Sequence, residues 1–352
     1  MPTTLISKLA CPMPVEQEDV IQMAHGGGGL KMARLIERHF LPLLQNEALA
    51  QLGDGGVVEF GPSRLAVSTD SFVVSPPFFP GGDIGSLAVH GTVNDLAMCG
   101  AEPLALSAAL ILEEGFRKSD LDRIIASLAS AAAAVKVPVV TGDTKVVERA
   151  KGDGIYITTT GLGHVRHGVN PGPDRAMPGD CILVSGPIGD HGMAIMAARH
   201  DLTFDPPLCS DSATVLPAIR QLLSAFPDDV HVLRDPTRGG LATALCEIAE
   251  ASRVTIGIDE SAVPTRPEVR AACELLGFDP LYVACEGRFI AIVSEKSAER
   301  ALRIVRETEI GCAAVQIGVV EGTDTARVLL TTRIGSHRRL ERISGEQLPR
   351  IC

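Results

Sequence analysis

Aromatic residues are scarce in this chain, whose 352 residues include 10 Phe, 2 Tyr and no Trp. Single-stranded nucleic-acid binding depends on aromatic platforms for base stacking, so that class of function is disfavoured. The net charge of −11 argues against a broad surface for a phosphate backbone. No run reaches the ~18 apolar residues of a membrane span, and Met1 to Pro14 lacks the unbroken apolar segment of a signal peptide. The nine cysteines (Cys11, Cys99, Cys181, Cys209, Cys246, Cys273, Cys285, Cys312 and Cys352) form no CxxC pair. Scattered, odd in number, they fit reduced thiols better than a disulfide framework or a zinc site. The histidines form no HxxxH pair, and no GxxxxGK(S/T) phosphate loop occurs. The expectation is a soluble cytoplasmic protein with no nucleic-acid or membrane partner.

What is present is a globular composition, 45% hydrophobic and 21% charged, in a chain long enough for two domains. Short β-branched runs alternate with helical periods, which predicts an α/β (α+β) fold. Val57–Phe60 and Leu65–Thr69 read as strands around a Gly61-Pro62-Ser63 turn, with Asp70 at the exit. Gly85–Cys99 reads as a helix stopped by Gly100, and Leu104–Leu112 as a strand. A helix capped by Ser119 runs to Val135, and Val137–Thr141 reads as a buried strand leading into Gly142-Asp143-Thr144. The Pro- and Gly-rich stretch His167 to Gly179 marks a domain boundary. The organisation expected is an N-terminal glycine-rich segment over 1–40, an N-terminal domain over 41–166, a C-terminal domain over 167–332 and a flexible tail over 333–352.

Four aspartates, Asp70, Asp95, Asp143 and Asp235, fall at element ends or on a helix. Carboxylates converging on one crevice suit Mg²⁺ with a bound nucleotide, although aspartates that merely close turns are common. Asn94-Asp95 lies in an otherwise apolar helix, where two polar side chains need a partner or a function. The run Gly26, Gly27, Gly28, Gly29 would let backbone amides approach phosphates, or serve as a hinge. Lys145 follows Asp143 by two residues, so on a strand both face one way, as an ion pair or as a phosphate-neutralising site. Glu286, after the apolar run Leu281–Ala284, is placed either as an ordinary turn residue or as a base with raised pKa.

The chain closes on Leu348-Pro349-Arg350-Ile351-Cys352, and from Arg333 onward there are five Arg against two Glu. A basic tail on an acidic body tends to return to it or to visit acidic partners. From Gly335 it could extend about 60 Å, at ~3.3–3.6 Å per residue. A terminal thiol also carries a handicap, because its own α-carboxylate disfavours the thiolate.

Taken together, His25–Gly29, Ser68-Thr69-Asp70-Ser71-Phe72, Asn94–Gly100, Gly142–Lys145, Arg234–Gly240, Val283–Gly287 and the terminal Pro-Arg-Ile-Cys resemble the HypE family of hydrogenase maturation factors. That family sits within the PurM-like (aminoimidazole ribonucleotide synthetase) superfamily, and the resemblance spans nearly the whole chain. It implies a two-domain PurM-like fold, a homodimer formed through the N-terminal domains, and ATP with Mg²⁺ near the interface. By motif, Asp70, Asn94, Asp95, Asp143 and the glycine run would bind Mg-ATP, with Asp70, Asp95 and Asp143 on the metal and Asp235 assisting. Cys352 would accept a carbamoyl group from the carbamoyltransferase HypF. ATP-dependent dehydration, with Glu286 or Lys145 as base, would convert that group to a thiocyanate. The cyano group would pass to the HypC–HypD complex for the iron of a [NiFe]-hydrogenase. Other possibilities are a small-molecule kinase of the same fold, including selenophosphate synthesis through Cys11, and a non-catalytic thiol carrier.

Overall fold

The computed structural model describes residues 20–44, 46–322, 325–343, 345, 348 and 350–352. Cys11, Pro349 and the first part of the 1–40 segment lie outside the described residues. The glycine run leads into a short helix, α1 (Leu30–Leu35), continued through a wider turn into α2 (Leu41–Leu44).

The first sheet is built from β1 (Gly56–Phe60), β2 (Ser63–Phe72), β5 (Ala101–Glu113), β6 (Val139–Val147) and β7 (Ile155–Val165). A two-stranded ribbon, β3 (Phe78–Phe79) and β4 (Gly82–Asp83), precedes the first long helix. The strand order is β1-β2-β7-β5-β6, antiparallel except for the parallel pair β5·β6. One face carries α3 (Ile84–Met98) and α4 (Lys118–Val135). Asp83 starts α3 by accepting from Gly85 N and Ser86 N at 2.8 and 3.0 Å, satisfying two orphan donors of the first turn. Alternate residues Ala66, Phe72, Leu106 and Ile157 pack beneath the helices, as the two-residue period of a strand requires.

Three expectations change here. Asp70 is inside β2, not at its exit. Arg117, not Ser119, precedes the first turn of α4, without a side-chain cap. The strand expected to be buried, β6, is exposed along nearly its whole length. It is the last strand of the sheet, with no neighbour on its outer edge and no helix over its face among the described residues.

The second sheet has the order β14-β13-β10-β12-β8-β11-β9. Its strands are β8 (Cys181–Val184), β9 (Val230–Arg234), β10 (Thr255–Asp259), β11 (Ile290–Val293), β12 (Val315–Gly322), β13 (Arg327–Thr331) and β14 (His337–Leu340). The stretch beginning at Arg333, read as a tail, thus contributes an antiparallel edge strand, β14 on β13. Around the sheet lie α5 (Asp190–Arg199), α6 (Leu216–Ala225), α7 (Gly240–Ser252), α8 (Pro267–Leu276) and α9 (Glu295–Arg306). Leu183, Leu233 and Phe289 join one core, whereas Ile182, Val184 and Ile290 join another, so the central strands are covered on both faces. The first core also contains Val89, Val93 and Ala97 of α3 beside Ile219 and Leu222 of α6. Burial of apolar surface therefore runs unbroken between the two sheets and holds them together.

Candidate active site

The site lies where the first sheet meets the end of β9. Asp54, in the Gly53–Gly55 turn before β1, Asp95 on α3 and Asp235 after β9 bring carboxylate oxygens within 4.8 Å of one another. Ser68 Oγ donates to Asp95 Oδ2 at 2.5 Å. Arg234 anchors Asp54 at 2.7 Å and Glu247 at 2.7 Å. Burial, reinforced by the neighbouring carboxylates and by Asp70, holds Asp54 and Asp95 well above the usual carboxylate range. Burial also pushes Asp235 up to about 6, opposed by Arg234 and reinforced by Asp70. Burial works against the charge of Arg234, yet Asp54, Glu247 and Asp235 keep its guanidinium above its ordinary value. Three crowded, desolvated carboxylates are a hard oxygen donor set, and a divalent cation would relieve their repulsion. The donor set therefore fits Mg²⁺.

Around the cluster is a cavity of about 740 Å³, whose polar lining includes Asp70, Asp95, Asp235, Arg238, Glu286 and Cys352. Met32, Ile36, Leu49 and Leu52 also line it. A second cavity of about 480 Å³ shares Ser71, Arg238 and Cys352 and is roofed by Gly26 and Gly27. The glycine run presses close to the site. A Cβ on Gly28 would stand 2.6 Å from Arg238 Cβ, and one on Gly29 2.2 Å from the Ile343 carbonyl oxygen. Gly239 and Gly240, at φ of +77° and +61°, form the left-handed turn that opens α7. A Cβ on Gly240 would meet backbone atoms of Leu281, Tyr282 and Val283 at 2.7 Å. Only glycine permits that approach, and it sets Arg238 beside the segment leading to Glu286.

The chain terminus is tucked in. Val73 N donates to a terminal carboxylate oxygen of Cys352 at 3.0 Å and Ser75 N to the carbonyl oxygen of Arg350 at 3.1 Å. Arg199 Nη2 donates to the Arg350 carbonyl at 2.8 Å, and the Arg350 guanidinium pairs with Asp153. Ile351 is buried in the core with Phe72, Val74, Phe79 and Ile84. Cys352 Sγ lies 3.8 Å from Arg238 Nη1. Burial pushes its thiol up to about 12, Arg238 opposing and Glu286 and Asp70 adding to the rise. The main obstacle to a thiolate in the docked position is thus desolvation, rather than the α-carboxylate expected from sequence.

Glu286 is buried. Its backbone N–H donates to Asp211 Oδ1 at 3.1 Å, while Oε1 has no hydrogen-bond partner among the described residues. Burial, with Asp235, Asp211 and Asp70 nearby, holds its carboxyl well above the ordinary range, opposed by Arg238. An orphaned buried carboxyl oxygen costs free energy and marks a place for a ligand or a transferring proton.

The sequence-predicted residues therefore divide. Asp70, Asp95, Asp235, Glu286, Cys352 and the glycine run gather around one space. Asn94 is occupied otherwise: Nδ2 donates to the carbonyls of Ala213 and Glu286 at 2.9 and 3.2 Å, and Val215 N donates to Oδ1 at 2.8 Å. It clamps α3 to the Glu286 segment, with its amide spent on backbone. Asp143 and Lys145 are apart from the cluster. Asp143 registers with Ala109, Ala109 with Thr158 and Thr158 with Ser71. Three strand spacings separate Asp143 from Ser71, about 14 Å. Ser71 and Thr69 are exposed on the open face, whereas Asp70 alternates with them and faces α3 with Ser68. One chain thus holds Asp70 and Asp143 on opposite faces of the same sheet. Lys145 Nζ caps Asp143 at 2.7 Å, and that contact lowers the Asp143 pKa.

Two residues escaped the sequence reading. Asp54 hides among glycines in a stretch that looks like a plain turn, and its only signal is the loop's position just before β1. Arg238 stands inside the Asp235–Gly240 motif, where a cation three residues after an acid was a usable clue.

Two successive α/β domains with a carboxylate cluster at their junction define the AIR synthase-related class. Residues 52–165 match the AIR synthase related protein N-terminal domain and residues 177–330 its C-terminal domain. Carbamoyl dehydratase HypE of Azotobacter vinelandii is 52% identical over 332 residues, covering 94% of this chain and 97% of that protein. The chain belongs to the HypE family of AIR synthase-related proteins, as its motifs had implied. A crystal structure of a HypE–HypF complex superposes with a TM-score of 0.83 at 46% identity, covering 88% of this chain and 99% of that one. A HypE crystal structure in complex with ATP superposes with a TM-score of 0.80 at 47% identity, covering 95% of this chain and 100% of that one. These likenesses bear out the two-domain PurM-like fold. Among the described residues no helix is long and apolar enough to cross a membrane.

Proposed function

We propose that this protein is a cytoplasmic, ATP-dependent carbamoyl dehydratase whose substrate is carried on its own C-terminal thiol. The observation that carries the proposal is the seating of Cys352 in the same cavity as Glu286, Arg238 and the aspartate cluster. Relatives named carbamoyl dehydratase, and relatives solved with ATP and with HypF, support it. Released from its seat, the tail reaches HypF and Cys352 takes up a carbamoyl group as a thiocarbamate, S–C(=O)–NH₂. Docked again, the carbamoyl oxygen attacks the γ-phosphorus of ATP. A new O–P bond forms and the bond to the ADP oxygen breaks. Glu286 takes one N–H proton, the second follows, and the C–O bond breaks to release phosphate. The sulfur is left bearing C≡N, and the sum is thiocarbamate plus ATP giving thiocyanate, ADP, phosphate and a proton.

An amide oxygen is a poor leaving group, and phosphorylation corrects that. Phosphoryl transfer is accelerated chiefly by positioning and charge neutralisation. Asp54, Asp95 and Asp235, with Asp70 beside them, would hold Mg²⁺, which supplies neutralisation of phosphate charge when bound. Arg238 sits where it can steady the thiocarbamate sulfur. A carboxyl kept basic by burial, as Glu286 is, is a strong proton acceptor once ionised. Lys145 is the alternative base and a second cation for the phosphates.

The open face of the first sheet exposes Val67, Leu162 and Ile111, and the edge strand exposes Val140 and Val146. Apolar surface on a strand edge of this kind favours pairing with another chain. A homodimer formed there would contribute Asp143 and Lys145 to the partner's nucleotide. The thiocyanate would then pass to the HypC–HypD complex.

Mass spectrometry of the C-terminal peptide after incubation with HypF, carbamoyl phosphate and ATP tests the proposal. The expected result is a carbamoyl adduct on Cys352 that becomes lighter by one water when ATP is present. An unmodified terminal peptide overturns it. Cys352→Ala should abolish carbamoyl-dependent ATP turnover and leave ATP binding intact by calorimetry.

A further inference from the structure

One buried imidazole that the chemistry above leaves unused touches the tail directly. His191, in the first turn of α5, has no exposed surface. Its Nε2 is 2.6 Å from the carbonyl oxygen of Ile351 and its Nδ1 is 2.7 Å from Ser210 Oγ. A carbonyl can only accept, so Nε2 carries a proton and donates it. Burial holds the imidazole below its ordinary pKa, against the pull of Asp211 and of the Ile351 carbonyl. In the neutral ring Nδ1 is then an acceptor, filled by the Ser210 hydroxyl. Ser210 Oγ in turn accepts from Ser212 N at 3.0 Å. The Phe79 ring meets the imidazole edge-on, with centroids 5.6 Å apart and planes at 87°, and so fixes its tilt.

The main-chain oxygens on either side of Ile351 each accept from a backbone N–H, and that of Arg350 also accepts from Arg199. Val73 N serves Cys352 and Ser75 N serves Arg350. A backbone N–H accepts any main-chain oxygen offered at its height, so those two bonds alone do not select which residues of the tail they hold. His191 approaches from another element and offers one donor at one height. The loop that orients it also carries Asp211, whose Oδ1 accepts from Glu286 N. The imidazole and the Glu286 backbone are therefore set by one short segment, Ser210–Ser212.

Resting on the role proposed for Cys352, we propose that His191 is a positioning residue that fixes how deeply the tail inserts, so that the sulfur stops beside Arg238 and Glu286. The Ser210 hydroxyl sets the tautomer that makes this possible.

Two substitutions separate the donor from the bulk of the ring. In His191→Gln the amide nitrogen can reach the place of Nε2, whereas in His191→Asn it reaches only the place of Nδ1. The readout is the rate of Cys352 alkylation by iodoacetamide in the full chain, compared with exposed Cys312 in the same sample. Loss of one buried hydrogen bond predicts a roughly three- to tenfold rise for His191→Asn, with His191→Gln restored to within about twofold of the parent. Carbamoyl-dependent kcat should fall with the same pattern while KM for ATP and carbamoylation by HypF stay constant. Parental alkylation rates in both variants overturn the proposal, and so does an equal rise in both, which would report packing alone. If circular dichroism shows the histidine variants unfolded, Ser210→Ala decides: it should raise alkylation in the same direction, and no rise overturns the proposal. Alkylation needs no carbamoyl chemistry. A Cys352 that never accepts carbamoyl would sink the proposed function while this measurement still stands, and the reverse also holds.

Discussion

Asp70 and Asp143 read alike along the chain, each next to a hydroxyl residue in a strand-rich stretch, yet they stand on opposite faces of one sheet. Asp70 looks toward α3 and the carboxylates of Asp54, Asp95 and Asp235. Asp143 looks into the open face with Lys145 as its companion. The carboxyls of the buried cluster and that of Asp143 are pushed in opposite directions. Burial raises Asp54, Asp95 and Asp235, whereas Lys145 and the Thr144 N–H lower Asp143. A crowded buried cluster is poised to receive a cation, and an exposed ion pair is poised to be presented to something else.

The largest expected effect falls on the buried cluster. Replacing Asp54 and Asp95 together by Asn should weaken Mg-ATP binding by roughly 100-fold or more, since ligands and their supports commonly carry effects of that order. Calorimetry with and without Mg²⁺ reads it, and unchanged affinity would remove the cluster from the cation site.

Next in size is the exposed pair. Lys145→Ala should cut carbamoyl-dependent turnover roughly 10- to 100-fold through lost charge stabilisation. Mixing it with inactive Asp95→Asn protein should restore about a quarter of parental activity, because half of a random set of twofold dimers would contain one intact composite site. No recovery on mixing would mean that the two motifs do not meet across an interface.

Smaller changes concern stability. Gly240→Ala forces a Cβ onto three backbone atoms at 2.7 Å in a left-handed residue, and should cost about 1–3 kcal/mol in chemical denaturation. The pH dependence separates the two regions by sign. Asp235 sits at about 6 in the fold against an unfolded value of 3.8. The metal-free folded protein therefore binds more protons than the unfolded chain between those pH values. Its contribution should fall as pH rises through that window, by up to about 3 kcal/mol. Asp235→Asn should flatten the loss, and a denaturation series from pH 4 to 7 that shows no such flattening would contradict the assignment. Asp143, lowered in the fold, contributes with the opposite sign: its stabilisation is present above the unfolded pKa and disappears on acidification.

Much of the scaffold was legible because its signals are local. The Gly61-Pro62-Ser63 turn and the α3 stop at Gly100 with φ of +69° follow from residue periods and turn chemistry. The burial of β6 was misjudged for the opposite reason. Val137 is buried as expected, but Val139 and Val140 of β6 are exposed, because an edge position with an uncovered face is a property of strand order, which no local window contains. Asn94 shows the same limit. Its need for partners was evident, but that they would be backbone groups of Ala213, Val215 and Glu286 depended on how α3 meets the second sheet.

The sequence by itself determined the α/β class, the two-domain organisation implied by its family motifs, and the inventory of acids, glycines and thiol from which a site could be built. Tertiary structure alone decided which of them share a space. It joined Asp54 and Arg238 to the site, set Asp143 on the far face and returned the terminal thiol to the cavity from a segment that sequence left free. Patterns of two and 3.6 residues record local backbone geometry. Convergence of positions 54, 95, 235, 286 and 352 is instead fixed by the long-range burial that packs α3 against α6 and Ile351 against Phe72.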